Sequence, residues 1–191
     1  MRPIEQIMEV YNSGYKIFGE NKVQEMQVKF ESLPKDIEWH MIGHLQSNKV
    51  KYIAPYVSLI HSVDSTELAS EINKQAKKNN RTIDILLQFH VAQEESKFGS
   101  DPKFAEDFCK KVMQYSNIKI KGIMGMASLT EDKEKIRKEF GQLKLIFENL
   151  KEKFFKNNHS FDVISMGMSN DFQIAIEEGS NMVRIGSSVF S

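Results

Sequence analysis

The chain alternates short apolar runs with helix-patterned segments along its whole length, and this alternation limits the folds open to it. The helix-patterned segments space apolar residues three or four apart, as Ile4, Ile7 and Tyr11 are near the start. Strands that alternate with helices indicate parallel βαβ units. Apolar runs that we interpret as strands lie at 15–18, 39–42, 57–60, 83–91, 118–126, 163–164 and 182–185. The sequence therefore predicts an α/β fold with seven strands, one fewer than a (β/α)₈ TIM barrel.

The length and the charge balance narrow the class of protein. The 191 residues fit one domain, which we expect to span 1–191, since no repeat, low-complexity tract or linker interrupts the alternation. Lysine plus arginine total 26, and so do aspartate plus glutamate, which argues against nucleic-acid and membrane-surface partners. No apolar run approaches the roughly 18 residues of a membrane span, and no signal-peptide pattern occurs. We therefore expect a cytoplasmic protein.

Metal and nucleophile chemistry find little support in the sequence. Cys109 is the only cysteine, which excludes an intrachain disulfide, and the helical pattern around it predicts a buried structural thiol. His40 and His44 are four residues apart, but a strand end and a glycine turn separate them, so they do not share a helix face. No G-x-S-x-G nucleophile elbow is present. We therefore expect no metal site and no catalytic serine of that type.

Two glycine-serine turns follow the last two strand candidates. Residues 165–169 read SMGMS and precede a helical segment with Asn170 or Asp171 as its expected N-cap, while 184–188 read RIGSS. Turns of this kind also occur as simple punctuation between elements. However, backbone N–H groups and hydroxyls stabilise an anion, and phosphate sites of TIM barrels commonly follow the last two strands. The two turns therefore predict a phosphate site, with Arg184 reaching whatever the phosphate is attached to.

Six motifs follow one another along the chain in the order of a known family. They are GYKIFGENKVQE at 14–25, WHMIGHLQSNK at 39–49, SVDS at 62–65, ESKFGSDP at 95–102, KGIMGMAS at 121–128 and SMGMSNDFQIAIEEGSNMVRIGSS at 165–188. Together they resemble the pyridoxal phosphate homeostasis family (YggS/PROSC). The resemblance covers essentially the whole chain, and the last motif is the most specific.

The resemblance implies a fold-type III barrel, like the N-terminal domain of alanine racemase, with pyridoxal 5′-phosphate (PLP) at the carboxyl ends of the strands. It implies no catalytic residue. By motif, the residues that would bind the cofactor are Ser169, Gly186 and Ser187 at the phosphate, Arg184 at the pyridine nitrogen, and Asn21, His40 and Met166 along the pocket. A cation beside the pyridine nitrogen disfavours protonation of that nitrogen and makes the ring a poorer electron sink.

One departure from the family pattern concerns the covalent link to the cofactor. The first strand of the family ends in V-S-K-x-x-P, whose lysine forms a Schiff base with PLP. Only Arg2 and Pro3 match the end of this pattern, and Met1 takes the position directly after the lysine. The resemblance therefore implies a barrel that is incomplete at the N-terminus, without its first strand, first helix and lysine. A covalent aldimine with PLP is not expected.

The resemblance implies a non-catalytic protein of intracellular PLP homeostasis. Its expected partners are PLP and PLP-dependent apo-enzymes that receive it, and the intact family fold is expected to be a monomer. Two alternatives stay open. A racemase-like PLP enzyme is disfavoured because the lysine is missing and no residues remain for a second, β-rich domain. A barrel that binds another phosphorylated small molecule through the same two turns is also compatible with the residues.

Overall fold

The computed structural model describes residues 3–92 and 98–190, which contribute seven strands to one sheet. The strands are β1 (Ile17–Glu20), β2 (Glu38–Met41), β3 (Leu59–Val63), β4 (Ile83–Gln88), β5 (Ile118–Met124), β6 (Val163–Met168) and β7 (Met182–Arg184). Each strand pairs in parallel with the next strand along the chain, and the sheet curves into a nearly closed barrel. The predicted α/β barrel of seven parallel strands is confirmed.

Helices connect successive strands and cover the outside of the sheet. They are α1 (Ile4–Asn12), α2 (Val23–Ser32), α3 (Val50–Ile53), α4 (Thr66–Lys78), α5 (Ala105–Val112), α6 (Lys133–Phe154) and α7 (Phe172–Glu177). Ser65 caps α4, because its Oγ accepts a hydrogen bond from the N–H of Leu68 at 3.3 Å. Of the helices in the described part of the chain, none has the length and apolar character needed to cross a bilayer.

Alternate residues of the strands enter two separate apolar clusters. Ile60 and the strand residues that face the helices, as it does, pack in the main core. This core runs through most of the chain from Ile7 to Ala175. Leu59, Leu86 and Met124 form a smaller cluster of their own. Because successive side chains of a strand point to opposite faces, this smaller cluster fills the barrel interior. Strands buried on both faces explain the nearly continuous apolar runs in the sequence.

One predicted strand is shorter in the structure than in the sequence pattern. The strand predicted at 83–91 ends at Gln88, because the N–H of His90 donates to the carbonyl of Ser100 at 3.0 Å and no longer to a neighbouring strand. After β2, a 3₁₀ turn, Ser47–Lys49, leads into α3. The motif ESKFGSDP at 95–102 lies partly outside the described residues.

The barrel has an open seam between its first and last strands. Within residues 3–92 and 98–190, β1 pairs only with β2, and β7 pairs only with β6. On the other side, β3, β4 and β5 each have a neighbour on both edges. The two predicted phosphate-binding turns follow β6 and β7, so they lie next to the seam.

Candidate functional site

The turns that follow β6 and β7 lie against each other. Met168 is in register with Arg184, and the N–H of Gly186 donates a hydrogen bond to Ser169 Oγ at 3.3 Å. Ser187 is exposed immediately beyond Gly186. The structure therefore brings together Ser169, Gly186 and Ser187, the three residues predicted to bind a phosphate.

The two turns contain two glycines, one in crowded surroundings and one beside open space. Gly167 has a φ of +96°, and a Cβ there would lie 2.6 Å from the Cβ of Ala175, so this position requires glycine for the close approach of β6 to α7. A Cβ at Gly186 would meet no atom within 4 Å. The space in front of Gly186 is therefore open, next to two hydroxyl groups and backbone N–H groups that can donate to an anion.

Asp171 stabilises the turn that follows β6 through a hydrogen bond with its backbone. It occupies the N-cap position of α7, but its Oδ1 accepts a hydrogen bond from the N–H of Met168 at 2.6 Å and its side chain does not cap the helix. Since α7 has only six residues, its macrodipole is small. Anion binding at this place therefore depends on the two turns more than on the helix.

Arg184 connects three strands at the carboxyl end of the sheet. Its Nη1 donates to the carbonyl of Ser165 at 3.0 Å and to Ser165 Oγ at 2.7 Å, and its Nη2 donates to the carbonyl of Gly125 at 3.2 Å. Burial lowers the pKa of Arg184 to about 10, with the charge of Asp171 acting in the opposite direction. The guanidinium is therefore a cation at neutral pH, held in one orientation two residues before Gly186.

Two buried histidines continue the polar contacts of Arg184 across the barrel. His61 Nδ1 lies 3.0 Å from Ser165 Oγ, and His61 Nε2 lies 3.1 Å from His40 Nδ1. Burial lowers the pKa of His40 to about 4. Burial, followed by the charges of His40 and Arg184, lowers the pKa of His61 well below its ordinary value. Both rings are therefore neutral at neutral pH.

The other predicted pocket residues lie in different places. Asn21 lines a cavity of about 230 Å³ at the ends of β1 and β2, together with His44, Gln46 and Lys49. A Cβ at Gly43 would lie 2.3 Å from the carbonyl oxygen of Asn21, so the two loops touch there. The remaining predicted residue, Met166, has no exposed surface and packs in the main core. The structure does not bring Met166 to the group around Arg184.

His61 and Ser165 were not predicted as site residues, although hydrogen-bond contacts in the structure connect both to Arg184. A signal for each was present, since His61 interrupts an apolar strand and Ser165 stands between Ile164 and Met166. A polar residue in a strand that is buried on both faces needs a hydrogen-bond partner inside the protein.

Metal and thiol chemistry find no site in the described part of the chain. Residues 3–92 and 98–190 contain no group of three His, Cys, Asp or Glu side chains that could hold a metal ion. Cys109 is buried, as predicted, and burial raises the pKa of its thiol to about 12. A thiol with that pKa is a poor nucleophile at neutral pH.

Comparisons with known proteins cover nearly the whole chain. The model of the family described as alanine racemase, N-terminal domain, matches residues 3–191. The pyridoxal phosphate homeostasis protein of Aquifex aeolicus is 43% identical over 189 residues, which are 98% of this chain and 82% of that protein.

Two solved structures resemble the fold. PipY of Synechococcus elongatus, with PLP bound, has a TM-score of 0.87 at 31% identity and matches 100% of this chain and 88% of its own. Alanine racemase of Clostridium difficile has a TM-score of 0.77 at 15% identity, matching 97% of this chain and 46% of its own. The racemase likeness shows a shared fold alone, and it confirms the predicted racemase-like TIM barrel.

Proposed function

The chain belongs to the alanine racemase N-terminal domain family, and on this premise we propose that it is a PLP-binding protein of intracellular PLP homeostasis. The name of the Aquifex aeolicus relative and the PLP bound in PipY support the proposal. One observation in this chain carries it. Ser169 and Gly186 meet beside open space, and Arg184 is fixed two residues before that space.

The residues at the seam fit a phosphorylated pyridine. We propose that Ser169, Gly186 and Ser187 hold the phosphate through two hydroxyls and backbone N–H groups. A side chain at Gly186 would take up the open space, whereas glycine leaves it free for an anion.

Arg184 decides which chemistry the site favours. When bound, PLP supplies an aldehyde that reacts with amines and a ring that withdraws electrons. A guanidinium donates hydrogen bonds and accepts none, so it can pair with a ring nitrogen only while that nitrogen is unprotonated. An unprotonated ring withdraws electrons less strongly. We therefore propose a carrier of PLP that does not catalyse amino-acid reactions.

The proposed binding residues are Ser169, Gly186, Ser187 and Arg184, with His40 and Asn21 nearer the ends of β2 and β1. Met166 is left out because it packs in the main core. We further propose that residues 1–191 act as one domain, that the protein works in the cytoplasm, and that PLP-dependent apo-enzymes receive its PLP.

A titration with PLP tests the phosphate assignment. Ser169→Ala and Arg184→Met should each raise the Kd by about 10- to 100-fold, since a hydrogen bond to a charged group contributes about 1.5–3 kcal/mol. Equilibrium dialysis measures the Kd. Ser116→Ala is the matched control, because Ser116 is exposed in the connection before β5, away from the two turns. If Ser169→Ala and Arg184→Met both bind PLP as the unmodified chain does, the site assignment is wrong.

Competition separates PLP from other phosphorylated molecules. Pyridoxal without phosphate and glucose 6-phosphate should each displace PLP only at much higher concentration, because each lacks one half of the recognised group. If glucose 6-phosphate binds as tightly as PLP, a general phosphate-binding barrel is the better description.

Two further measurements address covalent attachment and catalysis. After reduction with borohydride, mass spectrometry should find no pyridoxyl group on any lysine. Attachment at Lys22 or Lys49, which both line the cavity around Asn21, would contradict this expectation. Production of D-alanine from L-alanine by the PLP-loaded protein would favour the racemase alternative over a carrier.

A further inference from the structure

Four polar side chains form an unbroken line of contacts through the barrel interior. The line runs from Arg184 on β7 to Ser165 on β6, then to His61 on β3 and His40 on β2. The three side-chain distances along it are 2.7, 3.0 and 3.1 Å, all within hydrogen-bond range. His61 and Ser165 are almost completely buried, so water does not supply alternative partners for them.

The chemistry of each group fixes the direction of these hydrogen bonds. Arg184 can only donate, so Ser165 Oγ accepts from it. The hydroxyl proton of Ser165 then needs an acceptor, and His61 Nδ1 is the one within reach among the described residues. His61 Nδ1 must therefore be unprotonated, which places the ring proton on Nε2. That Nε2–H donates to His40 Nδ1, so the ring proton of His40 is also on Nε2.

This arrangement of hydrogen bonds requires that the rings of His40 and His61 are neutral, and the buried position of both rings meets this requirement. Burial keeps both imidazoles neutral at neutral pH, and the charge of Arg184 adds to the effect at His61. Any other placement of the protons leaves a buried hydroxyl or ring N–H without an acceptor, which is unfavourable for a group withdrawn from water.

The far end of the line can reach a ligand. His40 is one residue from the end of β2 and is 7% exposed. Within residues 3–92 and 98–190, its Nε2 has no hydrogen-bond partner. If Nε2 carries the proton, His40 offers a donor and no acceptor at that place.

We infer that Ser165 and His61 are positioning residues, through which Arg184 determines which ring nitrogen of His40 carries the proton. His40 thereby presents a fixed Nε2–H donor to the acceptor atom of a small-molecule ligand. Oxygen anions, carbonyl oxygens and unprotonated ring nitrogens are acceptors of this class. Groups that can only donate, such as an ammonium, are rejected. The inference concerns the ligand-free protein and goes beyond the proposed function, because it holds whether or not the ligand is PLP.

Nitrogen NMR of the ligand-free protein tests the inference directly. Two-bond ¹⁵N–¹H correlation spectra distinguish protonated from unprotonated ring nitrogens, and His40→Gln and His61→Gln identify the two rings. We expect both rings in the Nε2–H form near pH 7. A protonated Nδ1 on either His40 or His61 would overturn the proposal, whatever the result of the PLP titration.

Matched variants test whether Arg184 sets the direction. In Arg184→Met, Ser165 Oγ is free to accept from His61, so a second population with His61 Nδ1 protonated should appear. Arg184→Lys keeps a donor-only cation and should keep the single Nε2–H form. A single unchanged form in folded Arg184→Met would show that Arg184 does not set the direction. If that variant does not fold, the spectra of the unmodified protein decide the question alone.

Discussion

The two sides of the barrel are held together by different interactions. On the side of β3, β4 and β5, each strand has two neighbours, and all five residues of β3 are buried. At the seam, Ile17 of β1 is 58% exposed and no residue of β7 is fully buried. Phe18 of β1 packs in the main core, and polar contacts support the edge strands in addition. Lys29 of α2 pairs with Glu20 at the end of β1, and Arg184 ties β7 to β5 and β6.

The difference indicates where a ligand can enter such a barrel. Apolar packing fills space completely, whereas polar contacts between a few side chains leave donors and open volume beside them. The candidate phosphate site therefore lies at the seam, next to β7. The side formed by β3, β4 and β5, which we call the closed side, supports it.

Removing one partner of the seam ion pair should cost the most stability. The Lys29 side chain is 2% exposed, so Lys29→Met leaves the Glu20 carboxylate without its partner in a mostly buried position. We expect the free energy of unfolding to fall by about 3–5 kcal/mol, measured by urea denaturation followed by circular dichroism. The double variant Glu20→Gln with Lys29→Met removes the unpaired charge and should recover part of the loss. A loss below about 1 kcal/mol in the single variant would mean that packing, and not the ion pair, holds β1.

The same substitution on the two sides should give very different results. Ile85→Ala in β4 creates a cavity in the closed side, where Ile85 has no exposed surface, and should cost about 2–5 kcal/mol. Ile17→Ala at the seam removes a mostly exposed side chain and should change stability by less than about 0.5 kcal/mol. Urea midpoints of the two variants measure the contrast directly. Equal losses would show that the seam is packed as tightly as the closed side.

The buried histidines should make the fold sensitive to acid. The pKa of His40 is about 4 in the folded chain, below its ordinary value of 6.5, so the unfolded chain binds more protons between these values. Stability is therefore fully present above about pH 6.5 and is lost as the pH falls towards 4. The expected loss from His40 is about 2–3 kcal/mol between about pH 7 and 4.5.

His40→Gln isolates this contribution from that of the carboxylates. Its stability should fall less steeply with decreasing pH than that of the unmodified chain, as measured by urea unfolding at several pH values. Parallel slopes for the two proteins would contradict the assignment of the acid sensitivity to His40.

Alanine substitutions at two glycines of the seam distinguish an effect on stability from an effect on PLP binding. Gly167→Ala forces a side chain into a positive φ and against Ala175, and should cost about 1–3 kcal/mol. Gly186→Ala meets open space and should change stability by less than about 0.5 kcal/mol, yet weaken PLP binding by filling the proposed phosphate position. Thermal unfolding and equilibrium dialysis report the two effects. Normal PLP affinity in Gly186→Ala would place the phosphate elsewhere.

Much of the fold was predictable because its signals are local. The spacing of apolar residues along each helix and the short apolar runs identified all seven strands, although boundaries moved by a few residues. β1, for example, runs over Ile17–Glu20 and not over 15–18. The loop at 42–46 could not be read from periodicity, because its path depends on the close approach of Gly43 to Asn21.

The site was only partly predictable. Its two turns are short motifs, so Ser169, Gly186 and Ser187 could be grouped before the structure was known. Met166 shared the same motif, yet neighbouring residues of a strand point to opposite faces, and Met166 takes the face that packs against the helices. A motif therefore did not determine which of its side chains reach the site.

The parallel barrel, the place of the two turns and the accompanying cation were all predictable without coordinates, because each depends on residues close together in the chain. The contacts of Arg184, and the proton arrangement that follows from them, depend on residues that are distant in the chain. Ser165 and His61 are 104 positions apart, and they meet because the register and curvature of the sheet bring β3 and β6 to one interior. Hydrogen bonds have a range of about 3 Å, so contacts of this kind exist only after the barrel has formed.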